Sequence, residues 1–327
     1  MKRKMTAKEI AEKTGLSAST ISRVLNHPEL VNENTLNHVM DKLKEIGYTF
    51  PKSKHSNKLI GITISNPLSN FAQIIFGTFS KLLSEQGYQT VQFNIGNRQN
   101  LSHFFSKNLG YLKMIDALII TSAEINQKDR ELFEKYNIPI VLLQTKCIGE
   151  LNIHNNNFTG CQNAAKFMIS RGYKDIAFVG WTPSDEHIND RYMGFSTTLE
   201  ANSTPIKEEF HIEAELSAEG GYSATEALMN LPIKPDAIFF GCDEMAAGGL
   251  KYLMEHGYKV PDDIGIMGFD NLKIANLMNL TTMDQSIEEK CSIATKYLME
   301  RLSNIPLSYS RDEVSITPKL IERSSLK

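Results

Sequence analysis

The sequence predicts a small all-α head joined to a two-lobed α/β core with parallel sheets. Three observations predict it. Two short helical patterns meet at Gly15 within the first 26 residues, short apolar runs alternate with longer amphipathic ones from Leu59 onward, and charge divides near the same boundary. Residues 1–58 hold 11 Lys and Arg against 6 Asp and Glu, net +5, while the rest holds 24 against 32, net −8. The whole-chain net charge of −3 therefore conceals a basic head.

In the first helical pattern Ile10 and Ala11 share a face, and Gly15-Leu16-Ser17 closes it. Glycine reaches backbone angles that other residues avoid, which suits a turn. Ser17 is then a natural N-cap for a second helix. At about 100° per residue, Ile21, Val24 and Leu25 share a narrow apolar sector, with Ser19, Ser22, Arg23 and Asn26 opposite. One face packs and the other is free to read. Hydroxyls, an amide and an arginine are groups that address phosphates and base edges in a major groove. Two helices hinged on a glycine have the shape of a helix-turn-helix DNA reader. The same periodicity also fits an ordinary amphipathic helix in a small bundle.

A third helix follows. Val31-Asn32-Glu33-Asn34-Thr35 precedes Leu36, Val39, Met40, Leu43 and Ile46 at helical spacing, with Asn32 as the cap and Gly47-Tyr48 at the end. The basic balance of this head supplies phosphate attraction and a salt-dependent share of affinity, although a solvated charge run gives the same count. Pro51 and the Ser, Lys and Asn content of 51–58 read as a linker.

The core begins with the apolar run Leu59–Ile64, then an amphipathic stretch over 71–86, a strand over 90–93, a helical stretch over 101–112 and a strand over 117–120. The rhythm continues through apolar runs at Ile140–Leu143, Ile176–Val179, Ala237–Phe240 and 264–269. Apolar strands alternating with helices favour a parallel sheet covered on its faces. The length after Leu59 exceeds one ordinary domain, so two α/β lobes are expected.

Thr6, Ile10, Ala11, Gly15, Leu16, Ser17, Thr20, Ile21, Ser22, Arg23, Val24, Leu25 and Asn26, in this register, resemble the headpiece signature of the lactose/galactose repressor (LacI/GalR) family of transcriptional regulators. The resemblance runs on through Leu59-Ile-Gly-Ile-Thr-Ile64, Gly87-Tyr88, Arg171-Gly-Tyr-Lys-Asp-Ile-Ala-Phe-Val-Gly180 and Arg191-Tyr-Met-Gly-Phe195. It closes with Val260-Pro-Asp-Asp-Ile-Gly-Ile-Met-Gly-Phe-Asp270, Leu280-Thr-Thr-Met-Asp-Gln-Ser286 and Leu320-Ile-Glu-Arg-Ser324.

The resemblance implies a headpiece over 1–50, a short hinge over 51–58 and a periplasmic-binding-protein-like core over 59–327, with lobe 1 at about 59–154 and 286–313 and lobe 2 at about 155–285 and 314–327. In such a fold the effector cleft lies at the carboxyl ends of the strands. The implied function is a sequence-specific repressor of a carbohydrate-utilisation operon, controlled by a sugar, sugar acid or sugar phosphate.

On the DNA side the resemblance makes Ala18 and Ser19 base contacts and sets Asn32 and Thr35 near phosphates; Ala18 offers only a methyl group. Thr6, Ser17, Thr20, Ser22, Arg23 and Asn26 complete the expected DNA-facing set.

On the effector side, Arg191 follows a strand and a polar stretch, where a guanidinium holds a hydroxyl, carboxylate or phosphate bidentately, or else forms a surface salt bridge. Asp270 ends an apolar strand, where a carboxylate accepts from sugar hydroxyls or simply forms a turn. The resemblance favours the cleft for both. Asn156 and Cys242-Asp243 stand where many members carry an aspartate and an Asn-Asp or Ser-Asp pair. These departures weaken contacts to a neutral polyhydroxyl ligand and favour an anionic one. Leu68-Ser-Asn-Phe71-Ala-Gln resembles a shortened form of the family's first-lobe cleft segment, which makes Asn70 and Phe71 candidates for hydrogen bonding and ring stacking; Phe71 fits a helix core equally.

The family's leucine-bearing hinge helix, which wedges the minor groove, has no counterpart in 47–58. Control is therefore expected through rotation of lobes in a dimer, changing headpiece spacing. A homodimer on a palindromic double-stranded operator is expected because one head contacts too little DNA for tight, selective binding. No leucine heptad follows Leu320, which disfavours a tetramer built on a C-terminal coil.

Thr6 to Thr14 is charged rather than apolar, and no run approaches a membrane span, so a cytoplasmic protein without membrane contact is expected. Cys147, Cys161, Cys242 and Cys291 are dispersed, as reduced thiols are, and the 8 histidines show no metal spacing; His154 and His187 read as loop residues. No serine elbow, phosphate-cradling loop or dinucleotide fingerprint is present, so neither cofactor nor enzyme is expected. The alternative is a sugar-processing α/β enzyme with an accessory DNA-binding head.

Overall fold

A computed structural model describes residues 6–26, 31, 35, 38, 39, 42, 43, 45, 46, 57–96, 101–121, 123–145, 149–180, 186–303, 306–309 and 313–327. The linker expected at 51–58 lies outside these residues except for Asn57 and Lys58.

Helix α1 (Ala7–Thr14) starts at a reciprocal cap, in which the Glu9 amide donates to Thr6 Oγ1 at 3.3 Å and the Thr6 amide donates to Glu9 Oε2 at 2.7 Å. It stops at Gly15, which adopts φ 72° and donates its N–H to the Ala11 carbonyl. Helix α2 (Ala18–Asn26) is capped by Ser17, whose Oγ accepts from the Thr20 amide at 3.0 Å. Thr35, His38, Val39, Lys42, Leu43 and Glu45 are helical, and Val39 and Leu43 join Ile10, Ile21 and Val24 in one buried cluster. Each such side chain contributes about 1.5–3 kcal/mol on burial, so five of them hold three short helices that are marginal alone.

The chain divides into two compact units, residues 1–153 with 288–314 and residues 154–287 with 315–327. The first contains the head and all but the ends of β5 and β11 in a sheet of the order β11 (Glu313–Ile316), β5 (Asn152–Asn155), β4 (Ile140–Leu143), β3 (Ala117–Thr121), β1 (Leu59–Ile64) and β2 (Gln89–Asn94). From β5 to β2 all neighbours are parallel, with Ile62 opposite both Gln92 and Ile119. Every residue of β3 and β4 is buried, which is why these strands read as continuous apolar runs. The helical stretch expected over 101–112 is two short helices, Leu101–Ser106 and Leu109–Met114.

The second unit's sheet runs β12 (Lys319–Ile321), β10 (Thr281–Asp284), β9 (Gly265–Asp270), β8 (Ala237–Phe240), β6 (Ile176–Val179) and β7 (His211–Ile212), parallel except for β12 against β10. Strand residues alternate between two cores. Ala177, Val179, Ile238 and Phe240 face a cluster with the helices Ala218–Met229 and Asp243–Glu255, whereas Ile176, Phe178, Ala237 and Phe239 face one with Asn157–Ser170 and Glu186–Ala201. Both faces are therefore covered by helices.

Two glycines set how closely the first helix pair packs. A Cβ on Gly221 would collide with the Met245 carbonyl, and one on Gly248 with the Ala218 carbonyl, so the helices meet backbone to backbone. His154 and His187 are not loop residues: the first lies in β5 and the second in the helix Glu186–Ala201.

Candidate DNA-reading helix and effector site

Helix α2 buries Ile21 and Val24 and leaves Ala18, Ser19 and Arg23 exposed, together with its cap Ser17. Thr20 and Ser22 are half-buried. The Ser17 hydroxyl lies 2.9 Å from that of Ser19 and 2.7 Å from that of Thr20, so the start of the helix is a linked patch of hydroxyls. Thr6 is occupied as a cap by Glu9, so its hydroxyl serves the end of α1. Thr35 is half-buried in the third helix, Asn26 ends α2, and Asn32 lies outside the described residues. The linker meets the core at Asn57, whose side-chain amide donates to the Lys113 and Met114 carbonyls at 3.1 and 2.8 Å, while its backbone N–H reaches Asp116.

In the second unit the structure brings together Arg191, Cys242, Asp243 and Asp270. Arg191, only 6% exposed, donates from Nη1 to the Gly241 carbonyl at 2.5 Å and stands 3.7 Å from Asp270 Oδ1. Its guanidinium lies 3.8 Å from the centre of the Phe269 ring. Arg191 Nε is buried and makes no hydrogen bond among the described residues. Asp270 closes β9 with φ 117°, a conformation rare outside glycine, and accepts from the Gln285 side-chain amide. Asp270 thus stands at a turn, with its carboxylate beside Arg191 and Gln285.

Asp243 and Cys242 are placed differently from the effector contacts expected of them. Asp243 is fully buried, with Thr282 Oγ1 donating to one carboxylate oxygen at 2.6 Å and the Leu272 amide to the other at 2.7 Å. Gly268 leaves the room, since a Cβ there would collide with that carboxylate. Both oxygens serve the turn after β9. Burial first, then the charge of Asp270, pushes the Asp243 carboxyl well above the usual carboxylate range, against hydrogen bonds from Thr282 and Leu272. The Cys242 thiol is likewise raised, by burial and then by Asp270, and stays an inert thiol rather than a nucleophile. Asn156 spends its side chain capping the helix Asn157–Ser170, accepting from the Thr159 amide at 3.0 Å.

In the first unit Asn70 is exposed and Phe71 half-buried in the first turn of the helix Asn70–Glu85, capped by Ser69. The ammonium of a fully buried lysine, Lys290, stands 6.0 Å from the centre of the Phe71 ring. Sequence reasoning missed Gln285 and Lys290. Lys290 had left a signal: a cation on the stripe that continues through Ala294, Tyr297 and Leu298, all buried.

Residues 6–50 match the model for bacterial regulatory proteins of the lacI family, and residues 165–326 match the periplasmic binding protein-like domain. The chain belongs to the LacI family. The HTH-type transcriptional repressor PurR of Proteus mirabilis (strain HI4320) is 29% identical over 333 residues, spanning 98% of this chain and 96% of its own. Among solved structures, a LacI family regulator from Enterococcus faecium with bound ribose aligns with a TM-score of 0.70 at 25% identity, over 82% of this chain and 98% of that one. The lac repressor dimer bound to operator and the anti-inducer ONPF aligns with a TM-score of 0.69 at 22% identity, over 99% of each chain.

This LacI-family chain is thus a DNA-binding transcriptional regulator with a helix-turn-helix head and a periplasmic-binding-protein-like core. Its relatives are repressors, and the reading as a sugar-processing enzyme falls. Among the described residues no group of His, Cys, Asp and Glu could hold a metal, and no helix is long and apolar enough to cross a membrane. Cys161, Cys242 and Cys291 are free and buried.

Proposed function

We propose that the protein represses a carbohydrate-utilisation operon in the cytoplasm, binding a palindromic operator as a homodimer through α2 and responding to a small sugar-like effector at Arg191, Asp270 and Gln285. The observation that carries the effector reading is Arg191. A guanidinium held against Phe269 and the Gly241 carbonyl, with a buried Nε lacking a partner among the described residues, is preorganised for a polar ligand. The dimeric, operator-bound lac repressor and the ribose-bound Enterococcus regulator support the remaining terms. Coupling follows from different effector affinities in two conformations of the core.

The test is Arg191→Ala in the full-length protein, read by operator gel shift with and without effector candidates. The variant is expected to bind operator and to lose its effector response. A full response in the variant would remove Arg191 from the site.

A further inference from the structure

The hydrophobic core of the head is not closed by the head alone. Ile10, Ile21, Val24, Val39 and Leu43 form it, with smaller contributions from neighbours in the same three helices. One further side chain packs against this cluster, and among the described residues it is the one from outside the head: Tyr136. The same side chain packs against the core of the first unit's sheet, which includes Phe133 and Ile140. Burial pushes the Tyr136 phenol well above its ordinary value.

The backbone holds Tyr136 in place. It follows the helix Gln127–Lys135, which is closed by Asn137 at φ 53° and by the Ile138 amide donating to the Phe133 carbonyl at 2.9 Å. Tyr136 stands just ahead of β4, as Asp116 stands ahead of β3 and Asn57 ahead of β1. Since β1, β3 and β4 are parallel neighbours, all three residues lie at the amino edge of one sheet. The chain arriving from the head enters at that edge, where Asn57 is held by the Lys113 and Met114 carbonyls. Tether and ring contact therefore agree on where the head sits within the first unit. The contact leaves the reading face open, because Ser17, Ala18, Ser19 and Arg23 stay exposed with Tyr136 in place. It touches the head from behind and fixes the direction in which α2 points.

We propose that Tyr136 docks the head on the first lobe and fixes its orientation, so that this contact sets which separation of operator half-sites the protein accepts, a step that rests on the reading of two heads on a palindrome. The sequence offers no leucine in 47–58 to set that orientation from a hinge. Asn57 bounds how far the head can travel, and Tyr136 selects one position within that reach. A movement of the first lobe then carries the reading helix with it through a packed ring.

The experiment uses the full-length protein and a palindromic operator selected in vitro with wild type, then rebuilt with its half-sites moved together or apart by single base pairs. A lone half-site is the control. Wild type should prefer one separation by about ten-fold or more, as preorganised bivalent binding does. Tyr136→Ser should flatten that preference to roughly three-fold or less, because loosened heads lose effective concentration at the best separation and gain reach at the others. Its affinity for the lone half-site should stay within about two-fold of wild type, since the reading face is intact. Tyr136→Phe keeps the ring and should keep the preference. An unchanged profile in Tyr136→Ser overturns the proposal, as does a wild type indifferent to separation; both leave DNA binding standing. Equal losses on the lone half-site and the palindrome also overturn it, since Tyr136 would then only maintain the fold of the head. Failure of wild type to select any operator counts against the DNA-binding reading and takes the proposal with it. Should Tyr136→Ser fail to fold, nitrogen-15 relaxation of the wild-type Ile10 and Ile21 amides decides alone. Tumbling in step with the core is expected, and independent tumbling of the head overturns the proposal.

Discussion

Arg23 and Asp243 are both polar residues of the kind a binding site uses, and the structure gives them opposite fates. Arg23 is exposed on α2, one turn past the hydroxyl patch of Ser17, Ser19 and Thr20. Arg23→Ala should weaken operator binding on the order of ten-fold or more while effector affinity holds, measured by gel shift and calorimetry on the same preparation; a loss of both would mean a damaged fold. Asp243 is enclosed, and its carboxyl is raised above the unfolded value by burial and by Asp270. The folded chain then binds that proton more tightly than the unfolded chain. The resulting stability is complete below the ordinary carboxylate range, about pH 4, and is lost as pH climbs through the raised value. Asp243→Asn, which keeps the shape of the protonated acid, should flatten this decline in urea-denaturation series across pH; an unaltered slope would assign it to other groups. The places of Arg191 and Asp270 were legible, Asp270 because it ends an apolar strand and Arg191 because it follows a strand and a polar stretch into a helix. The enclosure of Asp243 was not, since it depends on Thr282, Leu272 and the missing side chain of Gly268, all distant in sequence.

At the level of elements, the alternation of apolar runs and amphipathic stretches announced the parallel strands, because residues buried on both faces leave an unbroken hydrophobic signature. The same signal could not separate the short helices Leu101–Ser106 and Leu109–Met114, whose break at Asn108 keeps the apolar spacing of Leu101, Phe105, Leu109 and Leu112 nearly intact. Nor did it reveal β12 running antiparallel beside β10, since pairing direction is set by where the chain returns rather than by composition. Gly248 is uninformative in sequence, and only the facing Ala218 carbonyl gives it a reason. Gly248→Ala should therefore destabilise the second unit by about 1–3 kcal/mol through overpacking, seen as a lower urea midpoint with an unchanged m-value. An equal or higher midpoint would show that the helices separate at no cost.

For the molecule as a whole, charge segregates with function, since a head of net +5 belongs to a chain of net −3. Operator binding by a pair of such heads should fall at least ten-fold between roughly 50 and 200 mM salt, measured as the slope of log K against log salt. Arg23→Ala should reduce that slope if it meets phosphate, or relax sequence preference at constant slope if it meets a base. A salt-independent affinity would contradict the electrostatic role assigned to the head.

The head is also leashed at a defined point. Because Asn57 is pegged by two carbonyls and Asp116, the reach of any chain ahead of it is bounded at no more than about 3.3–3.6 Å per residue. Chain length before the peg thereby becomes a ruler for operator architecture. Residues inserted ahead of Asn57 should widen the range of half-site separations tolerated, base pair by base pair, whereas insertions behind it should leave that range untouched.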